Sequence, residues 1–114
     1  MSSDTTTIGG GSYRLEPLNA KNWMPWKRRM EAILREAGLD KYVTGSLKSQ
    51  PDATSSATEH AAWPAGEAKA RTRLELAICD EEMVHILGTT TAAEIWDRLC
   101  QVKETKGRLG ILAT

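Results

Sequence analysis

The stretch from Asn22 to Gly38 constrains the fold of this chain most, because it places a large apolar surface on one short helix. Its apolar residues recur at steps of three and four, the spacing of one helical face: Trp23, Trp26, Met30, Ile33, Leu34 and Ala37. Asn22 is suited to cap the first turn, Pro25 falls where a backbone N–H has no intrahelical partner, and Gly38 suits a left-handed residue after the last turn. Burying two tryptophans contributes on the order of several kcal/mol, so this helix needs other elements to pack against.

A second helix is indicated by Ser56 and Glu59, which have the spacing of a capping box. Pro64 disfavours helical geometry at the residue before it, and two alternatives therefore stay open. The helix begins near Pro64, or it begins at the capping box and kinks at the proline. Its inward stripe comprises Trp63, Ala70, Leu74, Ala77 and Ile78.

Two further helices follow from capping signals in the last third of the chain. Asp80 is a good N-cap for a short third helix, and Gly88 ends that helix. Its inward residues are Met83, Ile86 and Leu87.

Thr91 and Glu94 form a second capping box, which opens a fourth helix. This helix buries Ala92, Ile95, Trp96, Leu99 and either Val102 or Lys103. Gly107 then marks a hinge before apolar residues resume.

The length of 114 residues suits one domain with a single core. The patterns predict an all-α fold, a small bundle of about four helices over residues 13–104. Residues 1–12 are polar and rich in Thr and Gly, which predicts a disordered N-terminal tail because they cannot offset their ordering entropy. Residues 105–114 are expected to begin a following segment that is truncated. The expected core anchors are Trp23, Trp26, Met30, Leu34, Trp63, Leu74, Ile78, Ile86, Ile95, Trp96 and Leu99.

The charges of the chain balance, with 15 Lys and Arg against 15 Asp and Glu. A protein that binds nucleic acid through charge usually has a strong basic excess, which this chain lacks. Lys27, Arg28 and Arg29 nevertheless form a short basic cluster on the first helix. Two interpretations stay open: a solvated helix face, which Glu31 and Glu36 partly neutralise, or an RNA contact.

No set of catalytic or metal-binding residues can be recognised in the sequence. Two cysteines and two histidines do not have zinc spacing here. Cys79 and Cys100 are expected to be buried, reduced thiols on apolar helical stripes, with a disulfide as the less favoured alternative. His85 is expected to be a packing residue, since no nucleophile or carboxylate pair accompanies it. We therefore expect no enzyme, no cofactor, no metal and no small-molecule substrate.

The expected location is the cytoplasm, because the N-terminus has neither the basic nor the apolar part of a signal peptide. No apolar run approaches the roughly 18 residues of a membrane span, so no membrane contact is expected.

Three motifs in order resemble the amino-terminal part of the Gag polypeptide of copia-type LTR retrotransposons. In chain order they are Leu18-x-x-x-Asn22-Trp23-x-x-Trp26, then Trp63 followed by Ala68, Leu74 and Ile78, and then Ile86 followed by Thr91-Ala92-x-Glu94-Ile95-Trp96-x-x-Leu99. The resemblance implies a capsid-like, all-helical lobe that self-associates into virus-like particles around element RNA, with the matching tryptophans as core residues. Gag chains also carry a second capsid lobe and a Cys-Cys-His-Cys zinc knuckle that binds RNA, and neither is present in this sequence.

Three functions compete under this resemblance. The first is a structural Gag fragment that self-associates as a homo-oligomer or with other Gag chains. The second is a truncated or domesticated helical adaptor that binds a peptide or intact Gag. The third is weak RNA binding through Arg14, Lys21, Lys27, Arg28 and Arg29.

Overall fold

The computed structural model describes the backbone of residues 14–113 and the side chains of residues 14–105. Within this range, three α-helices and two 3₁₀ helices follow one another and no strand is formed. In chain order they are α1 (Trp23–Glu36), the first 3₁₀ helix (Asp40–Tyr42), α2 (Ala57–Leu76), the second 3₁₀ helix (Asp80–Ile86) and α3 (Ala92–Ala113). The predicted all-α helical bundle is therefore confirmed. The segment 1–12, predicted to be disordered, lies outside the described residues.

The end of α1 follows the sequence signal. Gly38 has a φ of +73°, in the left-handed region. The N–H of Leu39 donates to the carbonyl of Leu34 at 2.8 Å, and the N–H of Gly38 donates to that of Arg35 at 3.1 Å. These two bonds form a Schellman motif, which satisfies carbonyls at the helix end and turns the buried Leu39 back onto the core.

The start of α1 differs from the expectation, because the Asn22 side chain makes no capping hydrogen bond. Its Oδ1 accepts from the N–H of Asn19 at 2.8 Å, and its Nδ2 donates to the carbonyl of Pro17 at 3.1 Å. Asn22 therefore holds the N-cap position, but its side chain does not cap the helix. The Asn22 side chain instead holds the turn before the helix, because the backbone groups of Asn19 and Pro17 compete for its hydrogen bonds.

The alternatives for α2 are resolved in favour of an early start. Ser56 caps the helix by accepting from the N–H of Glu59 at 3.3 Å, and the helix then continues past Pro64. A proline in a helix leaves the carbonyl four residues earlier without its N–H donor. That carbonyl belongs to His60, and it accepts instead from Nε2 of Gln50 at 2.9 Å. The loop before α2 thus supplies the hydrogen bond that the proline removes.

The core lies between the helices and is closed by the segment before α1. Leu15 and Leu18 are buried, and the N–H of Leu18 donates to the carbonyl of Ala77 at 2.8 Å. Nine of the expected anchors are buried in this core: Trp26, Met30, Leu34, Leu74, Ile78, Ile86, Ile95, Trp96 and Leu99. The other two, Trp23 and Trp63, are partly buried and pack against it.

The third predicted helix is a 3₁₀ helix, and two expectations about it are wrong. Cys79 holds the N-cap position without a side-chain hydrogen bond, while Asp80 is the first helical residue. Leu87, expected to face inward, is 67% exposed. The helix ends at Ile86, and Leu87 is the extended residue that follows its last turn. At three residues per turn Leu87 continues the side of residues 81 and 84, whereas the expected pattern assumed 3.6 residues per turn through Leu87.

The start of α3 uses the second capping box in part. Thr91 Oγ1 accepts from the N–H of Glu94 at 3.2 Å. The Glu94 carboxylate accepts from the N–H of Thr90 at 2.8 Å, one residue before the cap. The helix then continues to Ala113, so the hinge expected at Gly107 is wrong.

Candidate interaction surface

The second 3₁₀ helix has three distinct sides, because residues three apart eclipse one another in this geometry. Its inward side carries Met83 and Ile86, which pack against the core. A second side carries Glu82 and His85 and faces α3. The third side is solvent-exposed and carries Glu81 and Val84, and Leu87, the extended residue just after the helix, continues it. We call Glu81, Val84 and Leu87 the outward ridge.

The side that faces α3 is held by a buried ion pair. Lys103 Nζ pairs with Oε1 of Glu82, and both side chains are less than a tenth exposed. The same lysine donates to the carbonyl of Asn19 at 3.4 Å, while His85 Nε2 lies 3.4 Å from the Glu82 carboxylate. This cluster ties the 3₁₀ helix, α3 and the segment before α1 together. It fixes the orientation of the outward ridge.

The outward ridge exposes apolar surface at a rigid position. Val84 is 59% exposed and Leu87 is 67% exposed. The guanidinium of Arg98 on α3 donates to the carbonyl of Leu87 at 3.4 Å, which holds the end of the ridge. Glu81 adds an exposed carboxylate that has no hydrogen bond or ion pair among the described residues. The ridge therefore combines two apolar side chains and one carboxylate.

A cluster of three tryptophans joins α1 to α3 on another part of the molecule. The ring centroids of Trp26 and Trp96 lie 6.0 Å apart, and those of Trp23 and Trp26 lie 5.8 Å apart. Both pairs are stacked. Trp26 Nε1 donates to the carbonyl of Ala77 at 3.0 Å, so its polar atom is satisfied within the core. Trp26 and Trp96 belong to the buried core and Trp23 packs against it, so the three tryptophans serve as packing residues.

The predicted basic cluster is divided by the structure. Lys27 Nζ donates to Oε2 of Glu104 at 2.6 Å and lies 5.6 Å from the centroid of the Trp23 ring. The hydrogen bond to Glu104 raises the pKa of Lys27 above its ordinary value. The stabilisation that this raised pKa of Lys27 represents is therefore fully present at neutral pH, and it is lost only as the pH rises through the pKa of the folded state.

The two arginines of this cluster border different grooves. Arg28 lines a groove of about 210 Å³ with Met24, Lys27 and Glu31. Arg29 lines a second groove, together with Arg14, Ala32, Ile33 and Glu36. The three predicted RNA contacts, Lys27, Arg28 and Arg29, therefore do not form one patch of free cations. RNA binding by these residues stays a prediction.

The sequence analysis did not identify the buried carboxylate of Glu67. This α2 side chain accepts from the N–H of Ala92 at 2.6 Å and from Nη2 of Arg71 at 3.1 Å. It thereby satisfies one of the unpaired N–H groups at the start of α3, where a negative charge also favours the helix dipole. Its place next to the small residues Gly66 and Ala70 on α2 is a weak sequence signal for burial.

The described part of the chain shows neither a grouped set of metal ligands nor an activated cysteine. No three His, Cys, Asp or Glu side chains of residues 14–105 are grouped to hold a metal ion. Cys79 and Cys100 are free thiols and are only half-buried. Cys79 precedes the 3₁₀ helix and does not lie on a helical stripe, which corrects the expectation for it. Burial raises the pKa of the Cys100 thiol and so disfavours the reactive thiolate.

A search of the described residues for a helix long and apolar enough to cross a membrane finds none. No curated protein and no solved structure matches the chain.

One family does match. Residues 30–111 match the family described as gag-polypeptide of LTR copia-type. The second and third sequence motifs, at Trp63 and at Thr91, lie within the matched residues, whereas the first, which ends at Trp26, lies before them. The match spans well over half of the chain, and the protein therefore belongs to the copia-type LTR retrotransposon Gag family.

Proposed function

We propose that this Gag-like structural protein self-associates, and that the outward ridge is part of the surface through which it does so. Family membership supports the structural role. The observation that carries the proposal is the exposure of Val84, on a helix whose other two sides are already packed, and of Leu87 directly after that helix. Contiguous apolar surface held in place on a folded domain commonly marks a protein–protein contact.

The location of the exposed apolar residues favours this ridge over the rest of the described surface. The large hydrophobic side chains that are exposed there are Met24, Leu76, Val84 and Leu87. Three of these four fall in the short segment 76–87. Of the three, Val84 lies on the 3₁₀ helix and Leu87 directly follows it, whereas Leu76 is the last residue of α2.

The energy available from this ridge indicates weak association by each contact. Full burial of a Val or Leu side chain contributes about 1.5 to 3 kcal/mol, and Val84 is 59% and Leu87 67% exposed here. Covering both contributes on the order of 2 kcal/mol, before the entropy cost of association is subtracted. A Gag domain that assembles this way therefore depends on several contacts per copy, and association of the free domain is expected only at high concentration.

Light scattering over a concentration series tests the proposal. The wild-type mass should rise with concentration, and the double variant Val84→Ser/Leu87→Ser should stay monomeric over the same range. Leu76→Ser is the matched control, since Leu76 is 66% exposed but lies off the ridge. Circular dichroism should show that all three proteins keep their helical content.

The possible outcomes separate the competing functions. If the double variant and the control Leu76→Ser lose association equally, the ridge is not the specific contact surface. A wild type that stays monomeric at every concentration would contradict self-association. If that monomer bound intact Gag in a pull-down, the adaptor function would replace it.

A further inference from the structure

We infer that the outward ridge of one copy pairs with the exposed edge of α1 on a second copy. We define the α1 edge by Met24 and Arg28, which line one groove. This inference rests on the proposed self-association and specifies which two surfaces meet. The ridge and the α1 edge are complementary in charge, and each exposes apolar surface.

The α1 edge combines exposed apolar surface with a charge opposite to that of the ridge. Met24 is 66% exposed, and among the described residues the other exposed large hydrophobic side chains all lie in segment 76–87. Arg28 is exposed and has no hydrogen bond or ion pair with another described residue. The neighbouring Lys27 is already paired with Glu104, so Arg28 supplies the available cation. The α1 edge thus presents one unpaired cation beside one exposed apolar side chain, and the ridge presents one unpaired carboxylate beside two.

The spacing of charge and apolar group also agrees between the two surfaces. Glu81 and Val84 are three residues apart in a 3₁₀ helix, which separates them by about 6 Å along the axis. Met24 and Arg28 are four residues apart in an α-helix, which also gives about 6 Å. A single alignment can therefore place Val84 against Met24 while Glu81 meets Arg28. Glu31, the acidic residue of the same groove, is a further three positions along α1 from Arg28.

Pairing of like surfaces is disfavoured by the same charges. Two ridges aligned in parallel would bring Glu81 against Glu81, with the exposed Asp80 beside it. Two ridges aligned in the opposite sense would place Glu81 against Leu87 and strip water from an unpaired carboxylate. Two α1 edges aligned in parallel would oppose Arg28 to Arg28. Like-charge juxtaposition of this kind excludes wrong pairings at protein interfaces.

Charge reversal on each surface, followed by mixing, tests the inference. Glu81→Lys makes both surfaces basic, and Arg28→Glu makes both acidic. Each variant alone should associate about tenfold more weakly than the wild type, a change of roughly 1.4 kcal/mol. An equimolar mixture of the two should recover association, because the Lys at position 81 then meets the Glu at position 28. Light scattering and analytical ultracentrifugation of the full chain at low salt would measure this.

Two matched controls have the same changes in net charge at other exposed sites. Glu75→Lys and Lys69→Glu both lie on α2, away from the ridge and the α1 edge. They should associate like the wild type, alone and mixed. Thermal melting of all four variants should stay near the wild-type midpoint, since every substituted side chain is exposed.

Each outcome has one meaning. Weakened single variants whose mixture recovers would support pairing between the unlike surfaces. Loss in Glu81→Lys with no loss in Arg28→Glu, or a mixture that stays dissociated, would overturn the inference while leaving self-association in place. A wild type that never associates would contradict the proposed function itself, and this is seen before any variant is made.

Discussion

Trp96 is a core side chain whose contribution to stability can be tested directly. It is 4% exposed, and its ring is stacked on that of Trp26 while lying 6.3 Å from that of Trp23. Trp96→Ala should lower the free energy of unfolding by about 3 to 5 kcal/mol, because it leaves a large cavity between α1 and α3. Chemical denaturation monitored by circular dichroism would measure the loss. Trp96→Phe should cost less, since it keeps a ring, and a change below about 1 kcal/mol for the alanine variant would contradict this role.

Glu94 gives a pH dependence whose sign follows from its hydrogen bonds. Donation by the backbone N–H and the hydroxyl of Thr90 lowers the pKa of this carboxyl below its ordinary value of 4.5. Because the pKa of Glu94 is lower in the folded than in the unfolded state, its ionised carboxylate stabilises the domain at pH values above the unfolded-state pKa. This stabilisation is lost as the pH falls through the folded-state pKa. The difference in melting temperature between the wild type and Glu94→Gln should therefore shrink from about pH 6 to about pH 3. A difference that is constant or that grows on acidification would contradict the assignment.

At the scale of the elements, Gly66 decides how closely α2 approaches the first 3₁₀ helix. A Cβ at this position would overlap the ring of Tyr42, which is buried. Gly66→Ala should therefore destabilise the domain by about 1 to 3 kcal/mol, even though alanine is the better helix former by about 1 kcal/mol.

Two further variants would separate the overlap from helix propensity. Thr72→Ala, at an exposed position of the same helix, should be neutral or slightly stabilising. Tyr42→Leu should reduce the cost of Gly66→Ala in a double-mutant cycle, because the ring is removed. Thermal unfolding would measure both, and an alanine variant more stable than the wild type would show that the two elements separate freely.

At the scale of the whole molecule, the described residues form one core with two exposed surfaces of opposite charge. The net charge of zero means that two copies do not repel one another at long range. It also weakens the RNA hypothesis, and the pairing of Lys27 with Glu104 removes one of the three proposed contacts from the available cations. The distribution of charge is therefore compatible with the proposed protein–protein contact and disfavours RNA binding through charge.

The amino-acid sequence by itself determined the all-helical class, several helix-end signals and most of the core. The apolar repeat predicted the buried face of α1 and Gly38 predicted its end, while Ser56 gave one of the two possible starts of α2. These features depend on residues within one or two turns of each other, so local pattern is enough to read them. The family was likewise recognisable from short motifs in fixed order.

The tertiary structure decided which side chains meet across the chain. Glu67 reaches Ala92, 25 positions away, and Lys27 reaches Glu104, 77 positions away, and neither pairing follows from a local pattern. The outward ridge was not predicted from the sequence either, because the predicted helix included Leu87, whereas the 3₁₀ helix ends at Ile86 and leaves Leu87 extended and exposed. The buried ion pair between Lys103 and Glu82, which joins α3 to the second 3₁₀ helix, was likewise not predicted. Such partners are set by how packed helices cross, and single-helix periodicity does not contain that geometry.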